Sequence, residues 1–204
     1  MIRTINRLNE EISRWAFEII FKTNDEWQIA FTNPTAGPWK TIKTKAINTN
    51  NVGEVYRFAL EEDRPDIILF NDKLKTVIIF EAKDSLAKLT DAKQAKKSAN
   101  VVIKLGEILS LKGDNEFWRG RENYNVILGL LWGSVETKES SATKQALYDQ
   151  YHSMIRNSKH ICDNIIIGIE TLYKDGGLVC YADFKAYNTK DEFLAQAIVS
   201  SLIQ

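Results

Sequence analysis

Residues 64–83 read RPDIILFNDKLKTVIIFEAK, and this stretch decides the fold. Two apolar runs rich in β-branched residues flank the polar segment 71–75, which is the pattern of a β-hairpin. Runs that are apolar at successive positions suit strands covered on both faces, in the middle of a sheet. In an antiparallel pair the start of one strand lies beside the end of the next. The hairpin therefore brings Asp66 close to Glu81 and Lys83 at one edge of the sheet.

The spacing of Glu81 and Lys83 indicates a metal site. Side chains alternate between the two faces of a strand, so these two residues project from the same face and Ala82 from the other. Two carboxylates, completed by water and a phosphate, make the oxygen-rich site that Mg²⁺ accepts. The ammonium of Lys83 cannot bind a metal while it is protonated. We expect it to orient or help deprotonate the attacking water and to offset charge in a phosphoryl transition state.

The pair Pro65-Asp66, followed after a gap of fourteen residues by Glu81-Ala82-Lys83, resembles the PD-(D/E)xK signature of a large nuclease superfamily. That superfamily includes most type II restriction endonucleases, Holliday-junction resolvases and several repair nucleases. The resemblance covers about residues 50 to 110. It implies that Asp66 and Glu81 hold Mg²⁺ and that Lys83 serves the nucleophilic water.

The resemblance points to two further groups of residues around the hairpin. Many members carry a catalytic glutamate on a helix before the first motif strand, where Glu54 lies in this chain, although the helix dipole alone also favours an acidic residue there. The helix after the motif often contacts the DNA backbone, which implies DNA contacts for Gln94 and for Lys97 among the lysines at 88, 93, 96, 97 and 104. A basic helix face is also common as solvated surface.

The polar segment 40–51 offers another set of candidate DNA contacts. Lys43 and Lys45 stand there among threonines and asparagines, and this composition suits contacts to phosphates and base edges. It also fits an ordinary surface loop.

The (Asp/Glu)-x-Lys pattern occurs four times in the chain, at 81–83, 91–93, 136–138 and 183–185. The second lies in a polar helical stretch and the third in a loop rich in Ser and Thr, so both suit solvated surface. The fourth is a rival, because Asp183 and Lys185 end an apolar run and Glu170 ends the run before it. Only the first hairpin starts with Pro-Asp, follows an isolated glutamate and precedes a long helix. We therefore place the site there and expect Asp183 and Lys185 to form an exposed strand end.

Length and composition suit one sizeable domain over residues 1–204, since 44% of the residues are hydrophobic and 10% aromatic. The 27 basic and 27 acidic residues give no net charge, which neither supports nor excludes binding to nucleic acid. No apolar run reaches the ~18 residues needed to span a bilayer. The start at Met1 leads into an amphipathic segment, and Cys162 and Cys180 belong to no metal-type cluster. We expect a cytoplasmic protein with two buried thiols and no membrane partner.

The pattern of the remaining chain predicts the order of its elements. We expect helices near residues 5–20, over 85–111 as one helix or two, over 144–159 and over 191–202, and strands over 27–32, 124–132 and 164–169 with a closing pair at the end. One helix then crosses over between the Glu-Lys strand and a parallel neighbour. The expected fold is α/β, a central mixed sheet flanked by helices, and the resemblance implies a restriction-endonuclease-like core.

Together these features predict a Mg²⁺-dependent endonuclease acting on double-stranded DNA, by resemblance most like a type II restriction endonuclease that works as a homodimer. Three alternatives stay open. They are a structure-specific repair or recombination nuclease, a DNA-binding or assembly subunit with a vestigial site, and an accidental motif in a soluble α/β domain. No aromatic stacking platform for single strands is visible, which favours a duplex, and RNA stays open as a substrate.

Overall fold

The computed structural model describes residues 26–32, 65–110, 120–135, 137–175 and 177–203. These residues form six strands and four helices. In chain order they are β1 (Gln28–Thr32), β2 (Ile67–Asn71), β3 (Thr76–Lys83), α1 (Leu86–Leu89), α2 (Ala92–Ser110), β4 (Asn125–Val135), α3 (Ser141–Ile155), β5 (Ile165–Lys174), β6 (Gly177–Ala186) and α4 (Thr189–Leu202).

All six strands belong to one mixed sheet, in the order of the sequence. β1, β2 and β3 are antiparallel to one another in succession, β4 is parallel to both β3 and β5, and β6 is antiparallel to β5. Parallel neighbours require a crossover, which α1 and α2 supply between β3 and β4, and α3 between β4 and β5. The predicted α/β class and the helix after the Glu-Lys strand are confirmed.

The motif hairpin owes its register to a short turn and a continuous apolar interior. Every residue of β2 is buried, as are the first seven residues of β3. In the turn, Oδ1 of Asn71 accepts the backbone N–H of Leu74 at 2.8 Å, and Lys75 takes a positive φ of 49°. The strands then pair from Asn71 opposite Thr76 to Ile67 opposite Phe80. The predicted hairpin is confirmed.

The helices divide between the two faces of the sheet. Both crossovers step in the same direction along the sheet, so right-handed connections place α1, α2 and α3 on one face. There Ala99 of α2 and Tyr151 of α3 belong to the same buried cluster as Leu128 of β4. α4 covers the opposite face, where Ile198 belongs to a second buried cluster with Phe80. The sheet is therefore covered on both sides, as its apolar strands require.

Local capping sets helix boundaries that differ from the predicted ones. Of the two alternatives predicted over 85–111, one helix or two, the structure has two, because Asp91 accepts the backbone N–H of Gln94 at 2.9 Å and so starts α2 afresh. α3 starts before the predicted residue 144, because the side chain of Ser140 accepts the N–H of Thr143. It ends before Asn157, whose φ is 69°. The helix predicted near residues 5–20 lies outside the described residues.

The structure bears on two expectations, the one about membrane-spanning segments and the one about buried cysteines. In the part of the chain that the structure describes, no helix combines the length and apolar character needed to cross a membrane. Both cysteines are free thiols; Cys180 is buried as expected, whereas Cys162 is partly exposed.

Candidate functional site

Two carboxylates lie opposite each other where the motif hairpin ends. The pairing of Ile67 with Phe80 puts Asp66 directly across from Glu81. The backbone N–H of Asp66 donates to the carbonyl of Phe80 at 3.0 Å, and its Oδ2 accepts the backbone N–H of Ala82 at 2.8 Å. The Asp66 side chain is thereby tied to the neighbouring strand. The predicted convergence at one edge of the sheet is confirmed.

Lys83 joins the two carboxylates. Its Nζ donates to Oε1 of Glu81 at 2.5 Å and to the carbonyl oxygen of Ala82 at 2.8 Å, and it lies 3.9 Å from Oδ2 of Asp66. The side chains of Asp66 and Glu81 are each 9% exposed and that of Lys83 is 15% exposed. In a site so shielded from water these charges act on one another strongly. Counted over these three described residues, two carboxylates and one ammonium carry one net negative charge, which favours a cation.

Gln94 adds a fourth side chain to this group. It stands in the first turn of α2, and its Nε2 donates to Oε1 of Glu81 at 2.8 Å and to Oγ of Ser98 at 3.2 Å. The side chain of Gln94 therefore points towards the carboxylate of Glu81. Its position on the helix after the motif does not by itself predict this contact. Lys97, one turn further along the same helix, is exposed. Contacts of either residue with DNA stay predictions.

Three predicted site residues lie outside the described part of the chain. Lys43, Lys45 and Glu54 all belong to the segment between residues 32 and 65. The predicted roles of the two lysines in DNA contact and of Glu54 in catalysis stay predictions.

The chemistry of the group fits Mg²⁺. Its ligand atoms are hard carboxylate oxygens with no thiol or imidazole among them, and Mg²⁺ is usually bound through one or two carboxylates together with water and substrate phosphates. Among the described residues, no set of three or more His, Cys, Asp or Glu side chains is arranged to hold a metal. Asp66 and Glu81 would therefore supply two of the ligands, and the others would be water, phosphate oxygens or groups outside the described residues.

A second carboxylate–lysine group lies on the same face of the sheet. Lys144 of α3 places its Nζ 2.8 Å from Oε2 of Glu170 and 3.1 Å from Oδ2 of Asp183. The hydroxyl of Tyr148 donates to Oδ1 of Asp183. Gly168 makes room for this contact, since a Cβ there would lie 2.7 Å from the same Oδ1.

The expectation that Asp183 and Lys185 form an exposed strand end is met only in part, since the Asp183 side chain is 39% exposed but is bound by Lys144 and Tyr148. β6 continues to Ala186, and both side chains are only partly exposed within it. Glu170 likewise lies inside β5, which runs on to Lys174. The sequence pattern missed these contacts of Asp183 because they come from α3, an element distant in sequence.

The contacts of Glu170 indicate a structural role. Its carboxylate is fully buried, and its Oε1 accepts the hydroxyl of Ser134 and the backbone N–H of Glu139, both at 2.7 Å. Burial raises the pKa of Glu170, but Lys144 and these two donors outweigh that effect and hold it below its usual value. Burial lowers the pKa of Lys144, and its two carboxylate partners raise it above its usual value. The ion pair therefore stays charged and ties the loop before α3 to the sheet.

Sequence analysis also missed a charged pair directly after the motif. Asp84 follows Lys83, and its side chain is 5% exposed and ion-paired with Lys88 of α1. A spacing of four residues between an acid and a lysine is the signal that could have revealed it.

Comparisons of the chain with known protein families, with curated proteins and with solved structures found no match.

Proposed function

We propose that this protein is a Mg²⁺-dependent endonuclease that hydrolyses phosphodiester bonds of double-stranded DNA, most like a type II restriction endonuclease. The observation that carries the proposal is the meeting of Asp66 and Glu81 across the end of one hairpin, with Nζ of Lys83 2.5 Å from one carboxylate and 3.9 Å from the other. Two carboxylates for a metal and one cation for the nucleophile are what this reaction requires.

The arrangement of the elements around the site supports the restriction-endonuclease-like core that the resemblance implies. An antiparallel hairpin carries the three residues, and helical crossovers lead from its second strand to two parallel neighbours. The site lies at the carboxyl end of β3, where α1 and then α2 begin. In open sheets with helical crossovers, ligands bind outside the carboxyl ends of the strands.

In the proposed reaction each side chain has one task. Asp66 and Glu81 would hold Mg²⁺, which when bound would supply the positive charge that this reaction needs at the phosphate and at the leaving 3′ oxygen. The ammonium of Lys83 orients the attacking water and offsets negative charge as it grows on the phosphoryl oxygens. Gln94 donates to Oε1 of Glu81 and so fixes the direction of that carboxylate.

The partner in the proposed assembly is a second copy of the chain. A palindromic duplex site has twofold symmetry, so a homodimer would bring one site to each strand. Each copy would then cut one phosphodiester bond of the duplex.

The test is incubation of the purified protein with long, unmethylated duplex DNA, with Mg²⁺ or with EDTA. We expect discrete fragments that require Mg²⁺ and that disappear in a Lys83→Ala variant whose circular dichroism and melting curve show an intact fold. A matched control is Lys73→Ala, which removes an exposed lysine of the β2–β3 turn at the other end of the hairpin and leaves the fragments unchanged.

Absence of cleavage by the parent protein on linear duplex under all salt conditions would overturn the proposal. Cleavage of branched DNA alone would replace it by the structure-specific nuclease. Equal cleavage by the parent and by Lys83→Ala would show that the site lies elsewhere.

A further inference from the structure

One aromatic ring lies between the proposed nuclease site and the second carboxylate–lysine group. In β4, Trp132 pairs with Lys83 of β3 on one side and with Glu170 of β5 on the other. Residues paired across neighbouring strands share a face of the sheet. Trp132 belongs to the buried cluster on the face covered by α1, α2 and α3. The three side chains therefore form one row across that face.

The ring of Trp132, and not its polar atom, explains why a tryptophan occupies this position. The residue is fully buried. A buried indole N–H usually has a hydrogen-bond partner, but Nε1 of Trp132 has none among the described residues. The ring itself lies against the second group, since Nζ of Lys144 is 5.7 Å from its centroid. Its neighbour in the row on the other side is Lys83.

A smaller residue in this place would leave Lys83 within reach of Glu170. Neighbouring strands are about 4.8 Å apart, so the Cα atoms of these two residues are separated by about 10 Å. The flexible four-carbon stem of a lysine, together with a glutamate side chain, can span that distance.

Glu170 can accept a second cation. Its Oε1 accepts hydrogen bonds from Ser134 and from the backbone of Glu139. Its Oε2 lies 2.8 Å from Nζ of Lys144 but accepts no hydrogen bond of regular geometry from the described residues. A carboxylate oxygen has two lone-pair sites, so Oε2 can receive another ammonium.

We propose that Trp132 is a positioning residue of the nuclease site. Its ring keeps Lys83 away from Glu170 and so holds the ammonium at the carboxylates of the nuclease site. This inference rests on the proposed function, since it concerns the lysine that serves the attacking water. The alternative is that Trp132 only fills the core.

Mg²⁺ binding separates the two roles. In Trp132→Leu the ammonium of Lys83 should turn towards Glu170 and take one positive charge away from Asp66 and Glu81. The variant should then bind Mg²⁺ about tenfold more tightly, because opposing charge has left the surroundings of the metal. Cleavage of duplex DNA should slow about 100-fold, because the group that orients the water is displaced. Mg²⁺ affinity is measured by isothermal titration calorimetry and cleavage by initial rates at saturating Mg²⁺, both well below Tm.

Glu170 supplies a second test. Glu170→Gln alone should leave the rate close to that of the parent protein. Combined with Trp132→Leu, it removes the charge that attracts Lys83. The double variant should therefore regain about tenfold in rate over Trp132→Leu and return to the parental Mg²⁺ affinity. Loss of core packing alone predicts neither tighter Mg²⁺ binding nor this rescue.

Trp27→Leu is the matched control. Trp27 is also buried, but it belongs to the cluster on the opposite face, and its Nε1 donates to Oγ of Ser201 at 2.9 Å. The variant should lower Tm and leave Mg²⁺ affinity and rate unchanged. Should Trp132→Leu not fold, Trp132→Met, whose longer side chain leaves a smaller cavity, is measured in its place.

The outcomes distinguish the inference from the proposed function. If the variant at 132 keeps the parental Mg²⁺ affinity, or if Glu170→Gln does not restore its rate, Trp132 is structural and the inference is wrong. Mg²⁺-dependent cleavage by the wild-type protein would still support the proposed function in that case. If the wild-type protein neither binds Mg²⁺ nor cleaves duplex DNA, the proposed function fails and the inference fails with it.

Discussion

At the scale of single residues, the site depends on one register. Because Ile67 pairs with Phe80, Asp66 faces Glu81, and the period of a strand then puts Lys83 on the same side as Glu81. A slip of one residue would move Glu81 and Lys83 to the other face of the sheet. The buried runs on both strands, where a slip would mispair every residue, hold the register in place.

Gln94 gives a prediction at this scale. Its hydrogen bond to Oε1 of Glu81 at 2.8 Å orients a proposed metal ligand, so Gln94→Ala should lower Mg²⁺-dependent cleavage about tenfold. The measurement is the initial rate of cleavage over a range of Mg²⁺ concentrations. Gln196→Ala, which removes an exposed amide bonded to Ser200 on α4, should leave the rate unchanged. Equal rates for Gln94→Ala and the parent protein would contradict the assigned role.

At the scale of elements, the second carboxylate–lysine group anchors α3. Glu170 of β5 accepts hydrogen bonds from Ser134 and from the backbone of Glu139, and it is paired with Lys144 in the first turn of α3. These hydrogen bonds hold the loop between β4 and α3 against β5. The contacts of Glu170 with the loop and with α3 mark this group as structural and distinguish it from the proposed nuclease site.

Glu170→Gln should therefore lower the free energy of unfolding by about 2 kcal/mol, the scale of a lost charged hydrogen bond. Urea denaturation measures the change. Glu192→Gln, an exposed acid in the first turn of α4, should cost only about 0.5 kcal/mol through the helix dipole. Equal losses in the two variants would show that Glu170 anchors nothing.

Glu170 also makes the free energy of unfolding depend on pH. The pKa of folded Glu170 lies below its ordinary value of 4.5, so its contribution is present above about pH 4.5 and is lost as the pH falls through the lower folded value. Glu170→Gln lacks this titration. Its free energy of unfolding should fall less steeply with acid than that of the wild-type protein, and parallel pH curves would contradict the assignment.

The sequence predicted the elements better than the contacts between them. The hairpin and the crossover helices follow from local patterns, namely two apolar runs around a polar turn and a long amphipathic stretch before the next strand. The contact of Asp183 with Tyr148 depends on α3 and on the space left by Gly168 of β5, and no local pattern predicts that. The contact of Gln94 with Glu81 likewise depends on how α2 packs against β3.

At the scale of the whole molecule, one sheet presents two carboxylate–lysine groups on one face. The group at Asp66 lies at the end of the hairpin and the group of Glu170 and Asp183 lies against α3, with β4 between the strands that carry the two groups. We propose that the metal binds at the first group, whereas the second group has a structural role. This division can be tested without knowledge of a recognition sequence.

The measurement is the change in Tm on addition of Mg²⁺ for the wild-type protein, Asp66→Asn and Asp183→Asn. A ligand that binds only the folded state raises its stability, so Mg²⁺ should raise Tm in the wild-type protein and in Asp183→Asn but not in Asp66→Asn. A shift that survives in Asp66→Asn, or that is lost in Asp183→Asn alone, would contradict the account.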